Sequence, residues 1–158
     1  MDLKIGDIIL VRGQGIISDI IKDISHSKYS HTAIYIGNDL IIEAEGFKKT
    51  GYVSINKYKG TADVFRCDNL SDRKRAKIAE YLKGQVGGQY DWLLLFLEFL
   101  RYVFHTTIRY KEKFNCHICS MLGGDAYKTI GVFLCPGIKY PSPGDISESK
   151  LLRKVDRV

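Results

Sequence analysis

The chain is short of cysteine and proline, with four and three among its 158 residues. Cys67, Cys116, Cys119 and Cys135 fall far below the density of a disulfide scaffold and follow no framework spacing, so reduced thiols in a cytosolic chain are expected. No apolar run approaches the roughly 20 residues that span a bilayer. The opening Met1-Asp2-Leu3-Lys4-Ile5-Gly6-Asp7 lacks the charged-then-apolar order of a signal peptide. Repeats, low-complexity tracts and Pro/Gly/Ser linkers are missing too. These absences predict one domain over residues 1–158, soluble and cytoplasmic, or else released by lysis or packaged in a virion.

A basic stripe with interleaved aromatics is also lacking. Lys and Arg number 24 against 18 Asp and Glu, a net charge of +6, but they are scattered, with only Arg73-Lys74-Arg75 forming a cluster. That pattern argues against a nucleic-acid interface and leaves a mild attraction to anionic polymers or membrane surfaces. What is present is apolar content of 45%, enough for a chain of this length to bury roughly 70% of its unfolded surface.

Strands are expected first and helices later. Ile8 to Val11 reads as a strand and Ile16 to Ile24, with helix-like apolar spacing, as a short helix. His31 to Ile36 and Leu40 to Ala44 flank Gly37-Asn38-Asp39 and read as a hairpin. Tyr52 to Ile55 and Ala62 to Arg66 add two strands, and Ser71 is placed to cap a helix running to Lys83 and ending at Gly84. The most hydrophobic segment, 92–104, is too short to cross a membrane and reads as a buried core helix; the other reading of it is a membrane-surface contact. Cys119 to Thr129 reads as a further helix, and the tail after Pro136 as loop until a polar, charged end.

Three residues could assemble a nucleophile, a base and an orienting group. Cys119 opens a helical pattern, where the positive end of the helix dipole favours a thiolate. His31 begins a strand and could take the proton of a thiol brought across the fold. A carboxylate amid the apolar residues of Ile41-Ile42-Glu43-Ala44-Glu45 is costly to bury without a partner such as an imidazolium. A three-residue hairpin turn would pair Ile36 with Leu40, setting Glu45 opposite His31 and Glu43 diagonal to it; a two-residue turn would move both away. Cys116-His117-Ile118-Cys119 also spells a C-x-x-C, but Cys67 and Cys135 stand alone and do not supply the second ligand pair of a structural zinc site.

Taken together, these pieces resemble the NlpC-type papain-like cysteine peptidases in circularly permuted form. Gly6-Asp7-Ile8-Ile9 is similar to the family's Gly-Asp strand start, and Ser30-His31-Thr32-Ala33-Ile34-Tyr35-Ile36-Gly37 to its histidine strand. Ile42-Glu43-Ala44 is similar to the strand of the third residue, with Gly51-Tyr52-Val53 after it. Gly87-Gly88-Gln89-Tyr90-Asp91-Trp92, Ile118-Cys119-Ser120-Met121-Leu122 and Asp125 to Gly131 then correspond to segments that open the unpermuted domain. Ser142-Pro143-Gly144-Asp145 resembles the closing segment of permuted members.

The resemblance spans roughly residues 6 to 146. It implies an α+β, permuted papain-like fold with a small antiparallel sheet packed against helices. It also implies a Cys119–His31–Glu43 triad, choosing Glu43 over Glu45, and places Tyr90 near an oxyanion site shared with the Cys119 backbone. The activity implied is cleavage of a peptide or cell-wall (peptidoglycan) amide without a cofactor or metal. Transfer of an acyl group from a lipid, as in the similar lecithin retinol acyltransferase family, is the alternative, and a noncatalytic binding or virion-structural module is a third reading. The chain departs from the pattern in having no Asp before the nucleophile, Met121 after Cys-Ser, and a second thiol, Cys116, one helical turn upstream. That thiol could form a reversible disulfide with Cys119, while Cys67 and Cys135 read as packing.

Overall fold

The structure, a computed structural model, describes residues 2–13, 16–44, 48–90, 116–117 and 119–158. The elements in chain order are β1 (Ile8–Val11), α1 (Ile16–Ser25), β2 (His31–Gly37), β3 (Leu40–Glu43), β4 (Gly51–Ser54), a 3-10 turn (Ile55–Tyr58), β5 (Ala62–Arg66) and α2 (Asp72–Gly84). After them come β6 (Gln89–Tyr90), β7 (Cys116–His117), α3 (Cys119–Lys128), α4 (Pro143–Ser147) and β8 (Arg153–Arg157). Six strands form one sheet in the order β4-β3-β2-β1-β5-β8, every neighbouring pair antiparallel, while β6 and β7 pair in parallel.

The unbroken apolar run of β1 is explained by burial on both faces. Ile8 and Leu10 join Ile34, Ile42 and Phe65 on one face, against Ile78 and Leu82 of α2 and Leu122, Ala126 and Tyr127 of α3. Ile9 and Val11 join Ala33, Tyr35, Ile41 and Val64 on the other, under Ile55, Tyr58 and Val158. Each fully buried aliphatic side chain contributes about 1.5–3 kcal/mol by leaving water, so the sheet centre is where the fold is held. Cys67 packs into the helix-side core and Cys135 lies against it, as expected of packing cysteines.

Polar ties fix the helices on this sheet. The Ser71 hydroxyl accepts from the Lys74 N–H and starts α2 as expected. The Tyr127 hydroxyl donates to the Gly6 carbonyl at 2.7 Å, linking α3 to the start of β1. Beside it Asp7, fully buried, accepts from Arg66 at 2.9 and 2.7 Å.

Two expectations need correction. The tail after Pro136 carries regular structure: Ser142 and Asp145 form a reciprocal capping box that opens α4, and β8 adds to the sheet beside β5. The hairpin turn also differs. Its two residues, Asn38 and Asp39, both lie in the left-handed region with φ of 54° and 56°, which suits a tight turn whose twist matches the strands. A bulge at Ile36 then makes Gly37, not Ile36, the partner of Leu40. The extra residue restores the register that a three-residue turn would have produced, so Glu43 still lies opposite Ala33. The expected core helix over 92–104, and Glu45, lie outside the described residues.

Candidate active site

The hairpin brings the first residue of β2 and the last of β3 onto one face. Side chains of His31 and Glu43, diagonal across the pair, meet with His31 Nε2 2.8 Å from Glu43 Oε2. The histidine is largely covered, its side chain 16% exposed, and the carboxylate almost wholly so, at 2%.

Cys119 arrives from the other side of the fold as the first residue of α3, which packs along β2. Gly123 lies against Thr32 and Ile34 of β2, where a Cβ would sit in ordinary van der Waals contact. The Cys119 side chain is buried, a free thiol, and hydrogen-bonded to His31. With Nε2 committed to Glu43, Nδ1 is the ring nitrogen left to face the sulfur.

The electrostatics of the trio favour separated charge. Burial opposes ionisation of Cys119, but the His31 imidazolium and the N–H groups of Thr32 and Ser120 outweigh it and hold the thiol below its ordinary value. Burial likewise opposes protonation of His31, yet the Cys119 thiolate and then the Glu43 carboxylate raise the ring well above the usual histidine range. Glu43 is lowered to about 2 against the cost of burial, by His31 first and then Lys57 and Tyr58. A thiolate–imidazolium pair resting on a carboxylate is the outcome these shifts share.

Sequence reasoning missed Lys57 and Tyr58. Lys57 Nζ donates to Glu43 Oε1 at 2.7 Å, and the Tyr58 hydroxyl donates to Oε2 at 2.5 Å. Both sit on the 3-10 turn that follows β4, whose Ser54 side chain caps it. Strand pairing alone gives no signal for them: Ser54 pairs with Leu40, so the chain leaves β4 at the end of β3 away from Glu43, and only the 3-10 turn folding back over the sheet face brings Lys57 and Tyr58 to the carboxylate.

Tyr90 is placed by its backbone alone, paired with His117 across β6 and β7. Of the other histidines in the chain, His26 lies in a left-handed turn after α1, His117 is in β7, and His105 falls outside the described residues. Among the described residues, no group of three or more His, Cys, Asp or Glu stands together as a metal site.

Residues 2–96, more than half of the chain and including His31, Glu43 and Tyr90, match the family of permuted papain-like amidase enzymes, YaeF/YiiX, C92. The chain belongs to this family. It is therefore a cysteine peptidase or amidase-like enzyme, and its α+β architecture is the circularly permuted papain-like fold that the sequence predicts. Metalloprotein yiiX from Escherichia coli O157:H7 has a similar crystal structure, with a TM-score of 0.75 at 18% identity over 100% of this chain and 99% of that one. At that identity the likeness carries the fold. Among curated proteins no sequence match is significant. Cys119 lies beyond the matched residues and is reached through the geometry and the resemblance of its own segment.

Proposed function

We propose that this amidase-family enzyme cleaves an amide bond in a peptide or cell-wall peptide through a thioester on Cys119, with His31 as base and acid and Glu43 as its orienting partner. One observation carries the reading: a buried thiol and a buried carboxylate on either side of one largely covered imidazole, which hydrogen-bonds the carboxylate at 2.8 Å and interacts with the thiol. In the first step the Cys119 thiolate attacks the carbonyl carbon. The oxyanion faces the N-terminus of α3, where the Cys119 N–H has no helical acceptor, with the Tyr90 hydroxyl as the second donor that the resemblance implies.

His31, protonated at Nδ1, gives that proton to the amide nitrogen as the C–N bond breaks and the amine departs. The neutral ring then takes a proton from water as its oxygen attacks the thioester. The acid is released, and the thiolate and imidazolium are restored. Glu43 keeps the ring facing Cys119 throughout and does not itself accept the proton.

The test has two arms. Alkylation of Cys119 followed against pH in wild type and His31→Ala should show a thiol reactive well below the ordinary thiol range, lost in the variant. Incubation with peptidoglycan peptides and with acyl lipids should then trap a thioester with the peptides. A thioester formed with lipids alone would replace amide cleavage by acyl transfer. An ordinary thiol that ignores His31→Ala would leave a noncatalytic module.

A further inference from the structure

The 3-10 turn Ile55–Tyr58 places a cation and a phenol on a carboxylate that already serves His31. We propose that Lys57 is a positioning residue which sets the charge felt by the Cys119–His31 pair, and that Tyr58 is the neutral second clamp on Glu43. The inference rests on the triad reading above and adds what tunes it.

The carboxylate geometry separates the two roles. Oε2 receives His31 Nε2 at 2.8 Å and the Tyr58 hydroxyl at 2.5 Å, while Oε1 receives Lys57 Nζ at 2.7 Å. With both oxygens occupied, Glu43 cannot rotate about its last bond without giving up a charge-assisted hydrogen bond. The Tyr58 ring also lies 5.9 Å from the His31 ring at 47°, so one residue restrains both the carboxylate and the imidazole. The Lys57 ammonium lies 4.9 Å from the Tyr58 ring, which fixes its position further.

Charge arithmetic gives Lys57 its separate function. The titratable groups described around Glu43 are His31 from β2 and Lys57 and Tyr58 from the turn, with Cys119 of α3 reached through His31. Two cations and two anions make this set neutral when thiolate and imidazolium are formed. Without Lys57 the set carries a net negative charge, which disfavours the thiolate and favours the imidazolium. Both limbs of a pH profile then move to higher pH. Lys57 remains 32% exposed, so its removal leaves no sealed cavity and can be made without emptying the core.

The experiment is the pH dependence of Cys119 alkylation by iodoacetamide in the full chain, with thermal melts as a check on folding. Lys57→Met and Lys57→Gln should raise the acid limb by about one pH unit, a tenfold slower reaction below it, and Lys57→Arg should restore the wild-type profile. Gln keeps a donor and Met does not, so a shift common to both reports charge. Tyr58→Phe, which removes a donor and no charge, should move the limb far less than Lys57→Met. Limbs unmoved in Lys57→Met and Lys57→Gln, or moved equally by Tyr58→Phe, would overturn the proposal while leaving the triad in place. A wild-type thiol that titrates in the ordinary range would instead remove the triad itself.

Discussion

Two buried carboxylates on the same sheet are surrounded by cations in opposite ways. Glu43 takes its hydrogen bonds from His31, Lys57 and Tyr58, which are 12, 14 and 15 residues away in the chain. Asp63, fully buried, takes them from Tyr29, Arg12 and Arg157, separated by 34, 51 and 94 residues, with Lys154 at 3.0 Å and Lys28 at 3.8 Å. A set drawn from one hairpin and its next turn can hold a reactive ring in register without help from the rest of the chain. A set drawn from the residue after β1, the segment before β2 and the final strand instead joins distant parts of the fold. Under the proposed mechanism the difference separates Glu43, serving the chemistry, from Asp63, serving assembly, although both are held near a pKa of about 2.

The largest separation should appear in rate. Glu43→Gln removes the charge that keeps His31 protonated and oriented, and amide cleavage should fall by about 100-fold to 10,000-fold, the range of positioned acid–base catalysis. Asp63→Asn should leave the rate per folded molecule unchanged. Active-site titration of both variants with a thiol-specific alkylating agent supplies the folded, reactive fraction for that comparison. Equal losses in the two variants would end the distinction between chemistry and assembly.

Stability should reverse the order. Asp63→Asn takes the shared anion from Arg12, Lys28, Lys154 and Arg157, which are themselves partly exposed, and losing a buried charged acceptor of this kind costs about 1.5–3 kcal/mol. Urea unfolding followed by tyrosine fluorescence would measure it, with a lower midpoint at unchanged slope as the expected result.

How far each carboxylate was legible in the sequence follows from these separations. The β-branched alternation of β2 and β3, and the single turn between them, exposed His31 and Glu43 because strand pairing there is local. Even so, turn length alone misjudged the hairpin, since a two-residue turn and a bulge at Ile36 together give the register of three residues. Lys57 and Tyr58 were not seen because a short 3-10 turn has no hydrophobic period to betray which way its side chains face. Asp63 and β8 were unreadable for a different reason. Arg153-Lys154-Val155-Asp156-Arg157 carries one apolar residue, as suits an exposed edge strand, and what makes it a strand is backbone pairing with β5 from the far end of the chain.

Acid should test both carboxylates together. Each has its folded pKa depressed to about 2, below ordinary values of 4.5 for Glu43 and 3.8 for Asp63. The stabilisation is therefore present above those ordinary values and is lost as pH falls through the window down to about 2. Far-ultraviolet circular dichroism against pH should show acid unfolding in wild type beginning below about pH 4.5. Asp63→Asn, with one such carboxylate fewer, should be less stable at neutral pH and show a shallower dependence of stability on pH across that window.

The smallest effect concerns the rim of the assembly cage. Lys154 reaches Asp63 from β8 with its side chain 45% exposed, so its ion pair exchanges with water and salt. Lys154→Gln removes one of four cations and keeps a polar stem on the strand, and such exposed pairs contribute about 0–1 kcal/mol. The expected loss should shrink further in high salt, whereas the cost of Asp63→Asn should shrink less, because the Asp63 side chain is fully buried and also accepts from the Tyr29 hydroxyl. Melting temperatures of both variants at low and high sodium chloride give the comparison. A Lys154→Gln cost as large as that of Asp63→Asn, and no more sensitive to salt, would mean that the last strand is held by this one contact and not by the shared cage.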